Sequence, residues 1–135
     1  GDLLPALQKK IVERNLSDHV DIIKFQQDFI KYIQHSDIFI CNSLYEGLNN
    51  NIVHALAQGI PIISTDCDFG PREILLNGEL GCLVGVGNKK EMIEAILSIA
   101  KESNFNTSLL KQRAEDFSIV KISNAFCKLL SNSAS

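Results

Sequence analysis

No apolar stretch in this chain approaches the roughly twenty residues that a helical membrane span needs, so nothing in it reads as a transmembrane segment. Like charges never run beyond two or three residues and the formal net charge is -3, which gives no electrostatic reason to expect a nucleic-acid partner. Cys41, Cys67, Cys82 and Cys127 lie far apart with no Cys-x-x-Cys pair, and His19, His35 and His54 show no metal-ligand spacing. The expectation is therefore reduced core thiols in a cytosolic protein, without disulfides and without a metal centre. Internal repeats, linkers and low-complexity segments are missing too, and no basic, then apolar, then small-residue leader stands at Gly1. The chain opens on Gly with no Met, the expectation for a piece excised from a longer protein.

What is there is an ordinary soluble composition, 45% hydrophobic and 21% charged, over 135 residues. That length fits one domain, or part of one, with a modest core. The organising stretch begins at Asp37 to Cys41, where Ile38, Phe39, Ile40 and Cys41 form a short apolar run of the kind expected for a strand buried on both faces. Glu46, Gly47 and three asparagines then make a polar turn. From about Asn51, the residues Ile52, Val53, Ala55 and Leu56 fall on one helical face; Gly59 sits at the left-handed C-cap position and Pro61 follows. Ile60 to Thr65 is again apolar. Strand, loop, helix, strand is the βαβ unit of a parallel sheet, with a right-handed crossover expected. Its first loop and helix start look into the crevice beyond the carboxyl ends of the strands, where anionic ligands gather. Glu46 to His54 is the stretch expected to bear the site.

Around this unit the pattern predicts a first helix capped by Asp2, with Pro5 in its opening turn, an apolar stripe of Leu3, Leu4, Leu7, Ile11 and Val12, and an end at Asn15. A first strand is expected over Val20 to Phe25, then a short helix from Asp28 to Gln34 burying Phe29, Ile30, Tyr32 and Ile33. After the third strand, Asp66 to Leu75 is a loop entering a helix at Pro71, closed by Asn77-Gly78. Gly81 to Val86 is expected as a fourth strand, and Asn88 caps a helix with Met92, Ile93, Ala95, Ile96 and Ile99 inward, broken over Lys101 to Asn106. Two helical segments, Thr107 to Phe117 and Ser118 to Leu130, precede a frayed tail, Ser131 to Ser135. Four strands alternating with helices define an α/β three-layer sandwich, Rossmann-like, with a parallel sheet.

On chemistry alone, Glu46 in a glycine-bearing loop can accept hydrogen bonds from paired sugar hydroxyls, or it is a solvated loop acid beside a helix dipole. The amides from Asn50 to Val53 can hold phosphate oxygens, or they are simply capped by asparagine. His54, one turn into that helix, reads more readily as a partly buried, hydrogen-bonded histidine than as a catalyst. Asp66, Asp68 and Glu73 can line the same crevice, and turn-forming roles explain them as well.

Ser43-Leu-Tyr-Glu-Gly-Leu48, Ala55 to Cys67, Gly70-Pro-Arg-Glu-Ile-Leu75, Gly78-Glu-Leu-Gly81 and Val84 to Gly87, in this order, resemble the C-terminal, nucleotide-sugar-binding domain of retaining GT-B glycosyltransferases of group 1, family GT4. The likeness is strongest to the bacterial members that build lipopolysaccharide and capsule. It extends from Asp2 to about Leu130, with Arg113-Ala114 and Phe117-Ser118 resembling the family's final helices. The resemblance implies residues 1–117 as a partial nucleotide-sugar-binding domain and 118–135 as a C-terminal helix and tail. It implies a donor site made of Glu46, Gly47, Leu48, Asn49, Asn50, Asn51, Ile52 and His54. Glu46 would hold donor-sugar hydroxyls, the amides of Leu48 to Ile52 would meet sugar and diphosphate, and the base would rest near Lys24 and Phe25. No metal or other cofactor is implied, and no catalytic residue is assigned within these residues.

The same resemblance implies a hexosyl transfer with retention, from a nucleoside diphosphate sugar to a lipid-linked, lipopolysaccharide or capsule acceptor, by a cytoplasmic enzyme peripheral at the inner membrane face. His54 stands where the family has its second glutamate, eight positions after Glu46; Asn49 stands where proline is common, and Lys24 where glycine is common. The family's diphosphate-gripping Arg and Lys, and its N-terminal acceptor domain, would lie before Gly1. The 135-residue chain alone is therefore expected not to transfer sugar, and its sheet edge is expected to favour self-association. Two other readings accompany this one: a non-catalytic remnant or interaction module derived from the family, and an unrelated doubly wound regulatory domain.

Overall fold

A computed structural model of the chain describes residues 2–102 and 105–132. Its centre is a three-stranded parallel sheet, β1 (Phe39–Cys41), β2 (Ile62–Thr65) and β3 (Cys82–Val84), in the order β1-β2-β3. Phe39 pairs with Ile62 and Cys41 with Ser64; Ile63 pairs with Cys82 and Thr65 with Val84. Every residue of β2 is buried, as a middle strand covered on both faces must be. Alternation along it separates the core into two layers. Ile62 joins Ile33, Cys41, Ile52, Ala55, Leu56, Ile74, Leu75 and Leu110 on one face, whereas Ile63 joins Val84 and Ile99 on the other.

The first layer is supplied by α2 (Ile30–Gln34), α3 (Asn50–Gln58), α4 (Pro71–Ile74) and α6 (Thr107–Ala114), the second by α5 (Lys89–Lys101). Fully buried isoleucines and leucines such as Ile52, Leu56, Ile63 and Ile74 each contribute about 1.5–3 kcal/mol by leaving water. This is the expected three-layer α/β arrangement, with one strand fewer. Val20 to Phe25 is extended but makes no ladder. A cavity of about 530 Å³ is lined by Ile23, Lys24 and Phe25 together with Ile38, Phe39 and Ile40, so the run lies beside β1 with open space rather than a ladder between them. Strand propensity without a paired neighbour leaves extended chain. Ile40 is also 43% exposed, because α5 packs on β2 and β3 and leaves the corresponding face of β1 uncovered.

The flanks depart from expectation for related reasons. In α1 (Leu4–Glu13) the N-cap is Leu3, without a side-chain bond, so Asp2 does not cap it, although Pro5 does fall in the opening turn. Its stripe has no buried residue; Leu3, Leu7 and Val12 are exposed, and none of the described elements packs extensively on the helix. Asn15 does end the helix, at φ 54°. The N-cap of α2 is Phe29, and Asp28 instead pairs with Lys31 Nζ at 2.6 Å; only Ile33 of the predicted side is buried, with Tyr32 exposed. Met92, Ala95, Ile96 and Ile99 of α5 pack inward, but Ile93 is exposed. The predicted break over Lys101 to Asn106 lies partly outside the described residues, and of the predicted tail Ser131 and Asn132 continue α7 (Ile119–Asn132) while 133–135 lie outside them.

Arg113 fastens α6 to α4. Its guanidinium donates to the carbonyls of Ile74 (Nε, 3.0 Å) and Glu73 (Nη2, 2.9 Å), satisfying carbonyls at the end of a helix of four residues, and lies 4.7 Å over the Phe117 ring. Arg113→Ala should cost about 2 kcal/mol in a denaturant melt; an unchanged midpoint contradicts the clamp. Lys121 Nζ and Arg113 Nη1 also donate to Asp116, and these hydrogen bonds, the lysine's first, hold the Asp116 carboxyl below its usual range. A depressed carboxyl contributes stability above its unfolded pKa and loses it as pH falls through its folded value. Asp116→Asn should therefore flatten the acid limb of the stability profile, a small effect at so exposed a site.

Among the cysteines, Cys41 and Cys67 are buried, Cys82 is partly covered and Cys127 is exposed, all as free thiols. Burial pushes the Cys67 and Cys82 thiols up, which disfavours the reactive thiolate. Alkylation under native conditions should modify Cys127 first, with Cys67 reacting only on unfolding; mass spectrometry of a time course reads the order.

Candidate functional site

The chain leaves β1 at Cys41, loops through 42–49 and enters α3, all at the carboxyl end of the parallel strands. Both ends of that loop are tied down. At its start, buried Thr65 donates Oγ1 to the Ser43 carbonyl at 2.6 Å, fastening the loop to the end of β2. At its end, Asn49 caps α3: Oδ1 accepts from the amides of Asn51 (3.0 Å) and Ile52 (3.1 Å), while Nδ2 donates to Cys41 Sγ at 3.2 Å. Gly59 closes the helix in the left-handed region at φ 73°, as predicted.

Within the bracket, Ser43 Oγ donates to Glu46 Oε1 at 2.5 Å and Cys41 Sγ stands 3.9 Å from the same oxygen. Glu46 is half-buried, and Oε2 takes no donor from the described residues. Gly47 rests against Gly70 of the next strand-end loop, so closely that a Cβ at Gly70 would overlap the Gly47 carbonyl oxygen. The two loops form one rim. Leu44, Tyr45, Leu48 and Phe69 are exposed along it.

Of the predicted donor residues, Glu46 to Ile52 occupy this loop and helix start in one contiguous piece. Lys24 and Phe25 meet Asn51 across the 530 Å³ cavity, which Phe29 also lines. His54 packs edge-on against Phe29, ring centroids 5.5 Å apart, so its ring is engaged by α2's entry. Glu46 is not among the residues lining that cavity. The amides of Asn51 and Ile52, expected to meet diphosphate, are already occupied by the Asn49 side chain. Asp66 is held by Arg72, whose Nε and Nη2 reach its two carboxylate oxygens; Asp68 and Glu73 are exposed, Glu73 in the first turn of α4. Sequence reasoning missed Ser43, Thr65 and the Gly47–Gly70 contact; the one local signal was a hydroxyl three residues before the glutamate on a strand exit.

Parallel strands under two helical layers, with an acidic loop and a capped helix start at their carboxyl ends, define a Rossmann-like α/β domain. A family model described as "Glycosyl transferases group 1" matches residues 1–102, and the chain belongs to that family. It is 29% identical over 136 residues to the lipopolysaccharide core biosynthesis glycosyltransferase LpsE of Rhizobium meliloti, covering 98% of this chain and 40% of that protein. It is also 29% identical over 133 residues to a 4-alpha-N-acetylgalactosaminyltransferase acting on a diphospho-undecaprenol-linked sugar in Campylobacter jejuni, covering 96% of this chain and 36% of that one. Among solved structures, Anabaena HepE in complex with UDP superposes with a TM-score of 0.86 at 20% identity, over 97% of this chain and 37% of that one. The chain thus spans 40% or less of these proteins.

Proposed function

We propose that the chain is the donor-binding part of a hexosyltransferase that takes a nucleoside diphosphate sugar, with Glu46 as the hydrogen-bond acceptor for donor-sugar hydroxyls. The observation that carries this reading is the presentation of Glu46: a carboxylate fixed through one oxygen, with the other left for a ligand, at the mouth of a parallel sheet. The name of the HepE structure, a complex with UDP, supports the nucleotide class. Lys24, Phe25 and Asn51 supply an apolar-walled cleft for the base, and the start of α3 supplies the positive end of a helix dipole for diphosphate. In this reading transfer proceeds with retention to a lipid-linked or lipopolysaccharide or capsule acceptor at the cytoplasmic membrane face; the names of the two relatives, one of lipopolysaccharide core biosynthesis and one acting on a diphospho-undecaprenol-linked sugar, support a lipid-linked or lipopolysaccharide acceptor. Donor binding needs no metal. Binding of acceptor and activity belong to the longer protein with its acceptor domain.

Titrating the chain with UDP-, GDP- and ADP-sugars tests the reading. His54 presents an imidazole ring packed on Phe29 where a carboxylate would take both ribose hydroxyls. His54→Glu is expected to tighten donor binding about tenfold or more, the worth of a charge-assisted hydrogen bond. One specific observation favours the second reading, a non-catalytic interaction module: Asn49 already fills the amides a diphosphate would use. Absence of binding by the native chain and by His54→Glu alike selects that reading.

The open edge of β1 adds self-association. Among the described residues its outer backbone groups have no ladder partner, and Ile23, Phe25 and Ile40 stand exposed beside it. Sedimentation over a concentration series should show mass rising with concentration and falling back in Ile40→Lys; a constant monomer mass contradicts this.

A further inference from the structure

We propose that Ser43 is a positioning residue for Glu46: its hydroxyl selects the glutamate conformation that presents Oε2 to the donor. The inference rests on the reading of Glu46 as the sugar-binding carboxylate. A glutamate in a loop has three rotatable side-chain bonds, and a ligand that must first order them binds more weakly. Here that ordering is done by the protein. Ser43 Oγ is 2.5 Å from Glu46 Oε1, a hydroxyl-to-carboxylate bond of the short, charge-assisted kind. The serine is itself placed by a buried group, because Thr65, 2% exposed, grips the Ser43 carbonyl from the end of β2.

The bond belongs to a short chain of polar contacts. Asn49 Nδ2 donates to Cys41 Sγ at 3.2 Å; Cys41 Sγ stands 3.5 Å from Ser43 Oγ and 3.9 Å from Glu46 Oε1. With its sulfur accepting from Asn49, the Cys41 thiol hydrogen is directed toward the serine or the glutamate. Donors thus converge on Oε1 from inside the domain and none of the described residues supplies one to Oε2. The asymmetry is what a carboxylate needs if one oxygen is structural and the other meets ligand.

The test uses the full 135-residue chain with UDP-glucose as probe, in the native form, Ser43→Ala, Ser43→Thr, Glu46→Gln and the Ser43→Ala/Glu46→Gln pair. Ser43→Ala is expected to weaken UDP-glucose binding about tenfold, Ser43→Thr to restore it, and Ser43→Ala to cost less once Glu46 is glutamine, whose neutral amide oxygen takes only a weaker bond from the serine. Independently of donor, the carboxyl carbon signal of Glu46 in the free chain should move in Ser43→Ala and return in Ser43→Thr. Equal weakening by Ser43→Ala in both backgrounds, or an unmoved Glu46 signal, overturns the positioning role while leaving the donor reading standing. Binding that Glu46→Gln does not weaken, or no binding of UDP-, GDP- or ADP-sugars by the native chain and by His54→Glu alike, sinks the donor reading and the inference with it, even where the carboxyl signal moves.

Discussion

Gly70→Ala is expected to lower stability by about 3 kcal/mol or more and to abolish donor binding at the Glu46 loop. Gly70 sits at φ 84°, ψ -78°, a combination that side chains resist, and a Cβ there would overlap the carbonyl oxygen of Gly47. The strained backbone costs about 1–3 kcal/mol and the overlap a further 1–3 kcal/mol or more. The obstructing atoms are backbone, so no rotamer change relieves them; the loop carrying Glu46 must shift. Gly87 is the control. It too has positive φ, 76°, but nothing lies within 4 Å of a Cβ there, so Gly87→Ala should cost only about 1 kcal/mol. Denaturant melts of the two variants side by side read the difference, and equal losses contradict the close packing of the two loops.

Asn49→Ala should separate stability from anion binding. The Asn49 side chain is buried, accepts from two amides at the start of α3 and donates to Cys41 Sγ, so removing it costs the cap and strands donors together, about 2 kcal/mol. The same change releases the amides of Asn51 and Ile52 to the crevice at the positive end of the helix. Inorganic pyrophosphate should therefore raise the melting temperature of Asn49→Ala by more than it raises that of the native chain. A variant that is destabilised yet gains no extra protection contradicts the view that Asn49 occupies the phosphate position.

These two cases mark where local pattern suffices. Asn49 and Gly59 bound α3 almost as the sequence predicts, because capping is decided by residues within a turn of the helix end. The buried strand Ile62–Thr65 is likewise legible from an apolar run flanked by turn residues. Val20 to Phe25 has the composition of a strand, yet a ladder requires a paired neighbour, and β1 is not one. The stripe on α1 and the exposed residues Ile119, Val120, Phe126 and Leu129 of α7 show the same limit: amphipathicity is local, whereas burial depends on what lies opposite.

The site divides in the same way. Glu46 and the asparagine turn stand out in the sequence because a strand exit followed by a helix start is a known place for ligands. The contacts that give them geometry join Thr65 to Ser43 and Gly70 to Gly47, each pair more than twenty residues apart. Spacing along the chain carries no sign of either. The sequence leaves His54 open between a donor-site residue and a packed histidine, and its edge-on contact with Phe29 supplies the packing.

The decisive measurement is calorimetric titration of the 135-residue chain with UDP-glucose, native against Glu46→Ala. The account predicts binding in roughly the millimolar range or tighter for the native chain and none for Glu46→Ala, with the two melting within about 1 kcal/mol of each other. Equal binding by both would mean that the loop carboxylate, however well held, does not clasp the sugar.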